Sequence, residues 1–227
     1  MLHPITDDLW YATHAFTVSG VPITSRMTVA RLPGGRLWLH SPVPISPALQ
    51  AEVEALGEVR WVVAPSKAHH LFMGDCARAF PQAQLFGAPG LAKKRPDLTG
   101  LVKLQDGVDG GWEPELSFLV FEGIPLANET VWFHAPSATL ILTDLCQWWQ
   151  GEVSWPARLF ASLTGVRQRL DVARTVRLAV RDKAAAHRSA QRVLAWPFDR
   201  VVVAHNSIVP TGGHAEVARA FARFAPQ

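Results

Sequence analysis

Residues 25–32, SRMTVARL, and 36–43, RLWLHSPV, are two short runs rich in bulky apolar and β-branched positions, flanking Pro33-Gly34-Gly35. That pattern predicts a β-hairpin with glycines at the turn. SPALQAEVEALG (46–57) follows with the marks of a helix: a Ser46 cap, Pro47 in the first helical position and a stop at Gly57. The short apolar run RWVVAP (60–65) then predicts a buried strand. MGDCARAFP is expected to be a short helix ending before Pro81, AQLFGAP another strand, and GLAKKRPDLTG (90–100) a polar loop.

The second half continues in the same manner. LSFLVFEGI predicts a strand, and TVWFHAPSATLILTDL two strands around a Pro-Ser-Ala turn. Residues 146–170 have no clear period and are expected to be irregular. DVARTVRLAVRDKAAAHRSAQRVLAW (171–196) has the period and the alanine and arginine content of one long helix. DRVVVAHNS predicts a last strand and GGHAEVARAFARF a final helix. Two β-rich halves, each with helices, imply a layered α/β sandwich. With no repeat and no low-complexity linker, a single domain over 1–227 is expected.

Composition narrows the function classes. The 227 residues are 48% hydrophobic with nine tryptophans, enough for a sizeable core. The net charge is only +3, and the arginines of 158–192 are expected on the solvated face of the long helix, without interleaved aromatics. A nucleic-acid partner is therefore not expected. MLHPITDDLW lacks the basic and apolar regions of a signal peptide, and no apolar stretch reaches bilayer length. Cys76 and Cys146 form no CxxC and are expected to be buried, reduced thiols of a cytoplasmic protein.

Three segments carry candidate chemistry. Each places a metal-competent residue just past a buried strand: His69 and His70 after RWVVAPSKA, Asp144 in TLILTDL, and His205 in RVVVAH. Imidazole and carboxylate suit zinc, iron or manganese. An ion held by them, with a position left for water, would support hydrolysis of an ester, amide or phosphate. Asp144 is the candidate general base if it is not a full ligand. Glu129 is read as a surface charge rather than an outer ligand, His134 as structural, and Asp75 as serving a helix N-terminus. A Cys76–His nucleophile is the weaker alternative. His3, His14, His40, His187 and His214 have no spacing that asks for a ligand role. There is no GxSxG elbow, no GxxxxGK[ST] loop and no GxGxxG.

The order strand–His cluster–helix, strand–Asp, strand–His resembles the metallo-β-lactamase fold superfamily. SPVPIS, APSKAHHLFMG, NETVWFHAPSATLILTDL and WPFDRVVVAH are similar to a bacterial branch of it, the family of unknown function DUF4336. The resemblance implies a four-layer αββα sandwich with the site at one edge. It also implies departures. The HxHxDH motif of the superfamily would fall with its first two histidines on Pro65 and Lys67, or on Ser66 and Ala68, and its middle histidine on Ile124. What remains is a second-position set of His69 or His70 or both, Asp144 and His205, for one Zn or Fe ion.

Two functions follow as expectations: a mononuclear metal-dependent hydrolase, or an inactive fold member that binds a small molecule or a protein partner. The tryptophan-rich stretch 145–165, with Trp148, Trp149 and Trp155, begins directly after Asp144. Gly151 and Pro156 interrupt any long helix there, so the segment is expected to cover the site irregularly, with Trp148 and Trp149 forming a pocket for a partly apolar small molecule.

Overall fold

The structure is a computed structural model describing residues 1–18 and 20–225. Seven strands form a first sheet in chain order: β1 (His3–Thr6), β2 (Leu9–Val18), β3 (Val21–Leu32), β4 (Arg36–His40), β5 (Glu58–Ala64), β6 (Gln84–Gly87) and β7 (Val102–Lys103). The pairs are antiparallel as far as β4 and parallel from β4 to β7. The second sheet holds β8 (Leu116–Val120), β9 (Thr130–His134), β10 (Thr139–Ile141), β11 (Arg200–Val202) and β12 (Ile208–Val209), in the order β12-β11-β10-β9-β8. Its one parallel pair is β10 with β11.

The two-residue period of a strand explains why the sheets stack. In β4, Leu37 and Leu39 point outward into one core while Trp38 points into the space between the sheets. Val62 and Ala64 of β5 share the outer core, and Trp61 and Val63 the inner one. The second sheet mirrors this: Phe133, Leu140 and Val201 face out, and Trp132, Ile141 and Val202 face in. Strands buried on both faces read as continuous apolar runs, as these do. The inner layer is aromatic, with Trp132 4.8 Å from Trp38 and 5.1 Å from Trp112 between ring centroids.

Helices cover both outer faces. Alpha-helices α1 (Pro47–Glu54), α2 (Met73–Ala79) and α3 (Leu91–Lys94) pack on the first sheet through Leu49, Val53, Met73, Cys76 and Leu91. Ser46 Oγ accepts from Leu49 N at 3.2 Å, the expected cap of α1. Helices α6 (Lys183–Leu194) and α7 (Gly213–Phe221) cover the second sheet through Ala186, Ala190, Val193, Val217 and Phe221. Among the described residues no helix is long and apolar enough to cross a membrane.

Three expectations are corrected. The polar stretch 90–100 contains α3, whose Leu91 is buried. The stretch 146–170 contains a regular helix, α4 (Trp155–Thr164), with Pro156 in its first turn, where its missing N–H costs nothing. The long helix expected over 171–196 is broken into α5 (Arg174–Ala179) and α6. The backbone N–H groups of Arg181 and Asp182 turn away to the Gly123 carbonyl, at 2.8 and 3.3 Å. Asp182 Oδ1 then accepts from Ala185 N at 2.9 Å and caps α6. Periodicity could not register a helix whose junction is stabilised by a distant carbonyl.

Gly123 has φ +85°, and a Cβ there would lie 2.3 Å from the Asp182 carbonyl oxygen. Gly123→Ala is therefore expected to destabilise the protein by about 2–4 kcal/mol in chemical denaturation, from backbone strain plus steric overlap. A change below about 0.5 kcal/mol would contradict this account of the α5–α6 break.

Candidate metal centre

Parallel strands running in one direction bring their C-terminal loops to one edge, and the loops after β5, β10 and β11 meet there. His69 Nε2 lies 3.3 Å from Asp144 Oδ2, and His205 Nε2 lies 3.0 Å from Asp144 Oδ1. One ligand atom from each of the three residues lies within 4.8 Å of the others.

Each of the three is held by its own supports. For His69, Ser66 Oγ accepts the N–H groups of Ala68 and His69, at 3.2 and 3.1 Å, folding the loop after β5. The other ring nitrogen, Nδ1, is 2.9 Å from Ser41 Oγ, just past β4.

For Asp144, the support is Glu129. Its carboxylate accepts the backbone N–H groups of Thr143 at 2.6 Å and of Asp144 and Leu145 at 2.9 Å each. Glu129 is 3% exposed, so the reading of it as a surface charge is wrong. Burial, with the Asp144 carboxylate nearby, pushes its pKa up to about 7 against the pull of those N–H donors. Its position before a strand gave no sign that its side chain would turn inward to the next strand's exit.

For His205, the support is Arg26 of β3, in the opposite sheet. Its guanidinium, 5% exposed, donates to the carbonyls of Val203, of Ser207 at 3.1 Å and of Asn206 at 2.8 Å, so it braces the whole loop carrying His205. Burial lowers its pKa to about 10, still a cation near neutrality. Sequence reading missed Arg26; an arginine in a strand with two buried faces was the available signal.

The His205 tautomer follows from hydrogen-bond chemistry. Nδ1 lies 2.9 Å from the Thr24 carbonyl oxygen, which can only accept. Nδ1 therefore carries a proton. At Nε2, a neutral ring turns a bare lone pair toward a carboxylate oxygen 3.0 Å away. Such a pair of acceptors requires either a second proton on the ring or a cation between them. Burial works against charge on both partners, yet the pairing raises His205's pKa, and His69 with His205 holds Asp144 well below the usual carboxylate range. A metal ion meets the same demand. Donors about 2.0–2.1 Å from a tetrahedral ion stand roughly 3.3 Å apart; the two separations here, each to a different Asp144 oxygen, are close to that, and the three ligand atoms, within 4.8 Å of one another, need only a small closure to seat one ion. Both outer ring nitrogens are already engaged, which is how second partners orient ligating imidazoles. The residues fit one ion.

His70 does not join them. A guanidinium can only donate, and Arg95 Nη1 sits 3.2 Å from His70 Nδ1 and 2.8 Å from its carbonyl. Nδ1 is thus an acceptor, and the ring's single proton is on Nε2, leaving no lone pair for a metal. Burial and then Lys94 and Arg95 lower its pKa, so it stays neutral. The member of the adjacent pair that reaches the cluster is His69.

A cavity of about 480 Å³ opens over the trio, lined on its apolar side by Phe16, Ile23, Phe72, Trp149 and Phe160, and including His70. Trp149 Nε1 donates to Gln147 Oε1 at 3.0 Å, and Gln147 Nε2 donates to Asp144 Oδ1 at 3.2 Å. Trp148 does not line it: its ring packs against the outer core of the second sheet, and its carbonyl accepts from Ser207 Oγ at 2.6 Å. Trp155 is 65% exposed in the first turn of α4. Cys76 and Cys146 are buried and burial pushes both thiols up, away from nucleophile chemistry. His134 is buried with Nδ1 2.7 Å from Ser137 Oγ, and Asp75 pairs with Arg78 on α2.

A family model described as "Domain of unknown function (DUF4336)" matches residues 6–93. No curated protein sequence matches the chain. Solved structures do. A metallo-β-lactamase from Pontibacter korlensis has a TM-score of 0.67 at 13% identity, covering 100% of this chain and 99% of its own. The metallo-β-lactamase FIM-1 from Pseudomonas aeruginosa, in its mono-zinc form, has a TM-score of 0.64 at 12% identity, covering 100% and 96%. The metal-soaked flavodiiron core of Flv1 from Synechocystis has 0.63 at 12%, covering 99% of this chain and 60% of its own. The fold is that of the metallo-β-lactamases, and the DUF4336 resemblance holds for the segment matched.

Glu129→Gln exchanges one acceptor oxygen for a donor amide against three backbone N–H groups. It is expected to lower unfolding free energy by about 2–3 kcal/mol, read by chemical denaturation. An unchanged midpoint would mean that Glu129 does not organise the Asp144 turn.

Proposed function

We propose that this protein is a metal-dependent hydrolase with a mononuclear centre held by His69, Asp144 and His205. The observation that carries the proposal is the His205 ring: its proton is committed to Thr24, and its free nitrogen faces a carboxylate. Two imidazoles and one carboxylate suit zinc or iron. An ion bound there would supply Lewis acidity toward a carbonyl or phosphoryl oxygen and make water a stronger acid.

The chain's own residues would do the rest. Both Asp144 oxygens face imidazole nitrogens, which favours a ligand over a general base. Gln147 fixes the carboxylate plane through its bond to Oδ1. His70, neutral with its proton on Nε2, brings a hydrogen-bond donor to the cavity wall. Phe16, Phe72, Trp149 and Phe160 exclude water and favour a partly apolar small-molecule substrate. The position that the resemblance reserves for a middle histidine is Ile124, 4% exposed, which argues against a second ion.

A second reading has one observation behind it. A doubly protonated His205 paired with Asp144 closes the trio without an ion, and the protein then binds its ligand without chemistry. Elemental analysis of protein purified without a metal-affinity tag separates the two. About one ion per chain is expected in the parent and in His70→Ala, and under about a tenth of that in Asp144→Ala and His69→Ala, because a site missing one of three ligands loses most of its affinity. Metal-free parent protein, or equal metal in all variants, would favour the ion-paired reading.

In the same cavity, Trp149→Ala is expected to weaken a bound apolar ligand about tenfold or more while leaving metal content unchanged. Trp148→Ala is expected to lower stability instead of ligand affinity. Any ligand whose affinity follows Trp148 and not Trp149 would contradict this division.

A further inference from the structure

A second cavity, of about 570 Å³, lies between α4 and α5 and is lined by Arg167, Arg169, Arg174, Arg177 and Arg223 around Asp171. In formal terms these side chains carry +4, more than the +3 of the whole chain. Arginines cannot relieve mutual repulsion by losing protons near neutrality.

The protein itself answers little of this charge. Asp171 is 5% exposed, and its Oδ2 lies 3.3 Å from Arg223 Nη2 and 3.6 Å from Arg169 Nε. Arg167 donates to the carbonyls of Trp149 and Gly151 at 2.7 and 3.1 Å, and Arg174 to that of Leu163 at 3.2 Å. Arg177 Nε is buried with no hydrogen-bond partner among the described residues. A Cβ on Gly165 would lie 3.6 Å from Arg177 Nη2 and 3.9 Å from Arg174 Nε, so two guanidiniums crowd over one glycine. Planar forks gathered in this way match the oxygens of a phosphoryl group, which can accept from several at once.

We propose that this cavity binds a phosphate-bearing ligand, through Arg169, Arg174, Arg177 and Arg223. Phosphoryl groups come from two sources, a free phosphorylated compound or a phospholipid headgroup. Leu163 and Leu178, 62% and 80% exposed, stand on the two helices bordering the cavity and make the second source physically reasonable. The cavity is also joined to the candidate metal centre. Asp171 and Gln147 exchange both backbone hydrogen bonds, at 3.0 and 3.1 Å, and the Gln147 side chain bonds to Asp144.

The test uses the full chain and two probes. Calorimetric titration with pyrophosphate examines the free ligand. Sedimentation with vesicles of phosphatidylcholine plus phosphatidylglycerol, against phosphatidylcholine alone, examines the headgroup. Saturable binding of at least one anionic probe is expected, weakened about tenfold in Arg177→Gln and in Arg169→Gln. Arg158→Gln, at an exposed position on α4 outside the cavity, is expected to bind like the parent. Pyrophosphate binding identifies a soluble ligand, and binding of anionic vesicles alone identifies a headgroup. Arg169 is exposed, so its variant carries the test if Arg177→Gln fails to fold. Binding of neither probe, or equal weakening by Arg158→Gln, overturns the proposal.

Discussion

The Nδ1–H of His205 donates to the Thr24 carbonyl, near the start of β3 in the opposite sheet, and the state of the site depends on that bond. It fixes the tautomer and turns Nε2 toward Asp144. It also joins the two sheets at the point where their strand exits meet. Ser41 makes the equivalent contact to His69 from the first sheet. A carboxylate between two inward-facing imidazoles is electrostatically incomplete without a proton or an ion. The proposed function amounts to choosing the ion.

The surroundings hold this arrangement in place with buried polar groups, each costly unless satisfied. Arg26 reaches three carbonyls of the loop carrying His205, and Glu129 gathers three N–H groups of the turn carrying Asp144. One brace crosses the sandwich and one does not: Arg26 comes from β3 to hold a loop of the second sheet, and Glu129 precedes β9 and holds the exit of its neighbour β10 in the same sheet. The aromatic layer around Trp38, Trp112 and Trp132 keeps the sheets at fixed spacing beneath them. Misplacement of either sheet would therefore reach the trio directly.

Much of this was legible in the sequence. Strands buried on both faces write themselves as apolar runs, so β4, β5, β9, β10 and β11 could be read, and Asp144 and His205 could be placed at strand exits. The choice between His69 and His70 could not, because adjacent residues share every sequence signal. It is decided by Arg95, twenty-five positions away, whose guanidinium engages His70. Trp148 and Trp149 divide for a similar reason: successive side chains leave the backbone in opposite directions, one against the outer core of the second sheet and one into the small core under α4 that walls the cavity. Arg26 showed only as an arginine in a strand buried on both faces, and Glu129 gave no sign of its role because its three N–H partners lie 14–16 residues on, past the next strand. The α5–α6 break was hidden likewise behind the Gly123 carbonyl.

The central claim is that one cation completes the His69–Asp144–His205 trio. Anomalous diffraction from crystals of protein purified without an affinity tag tests it most directly. One peak is expected about 2.0–2.2 Å from His69 Nε2, an Asp144 oxygen and His205 Nε2, with Ser41 and Thr24 still on the outer ring nitrogens. No peak there, with His205 Nε2 remaining about 3 Å from Asp144 Oδ1 as a protonated ion pair, would contradict it.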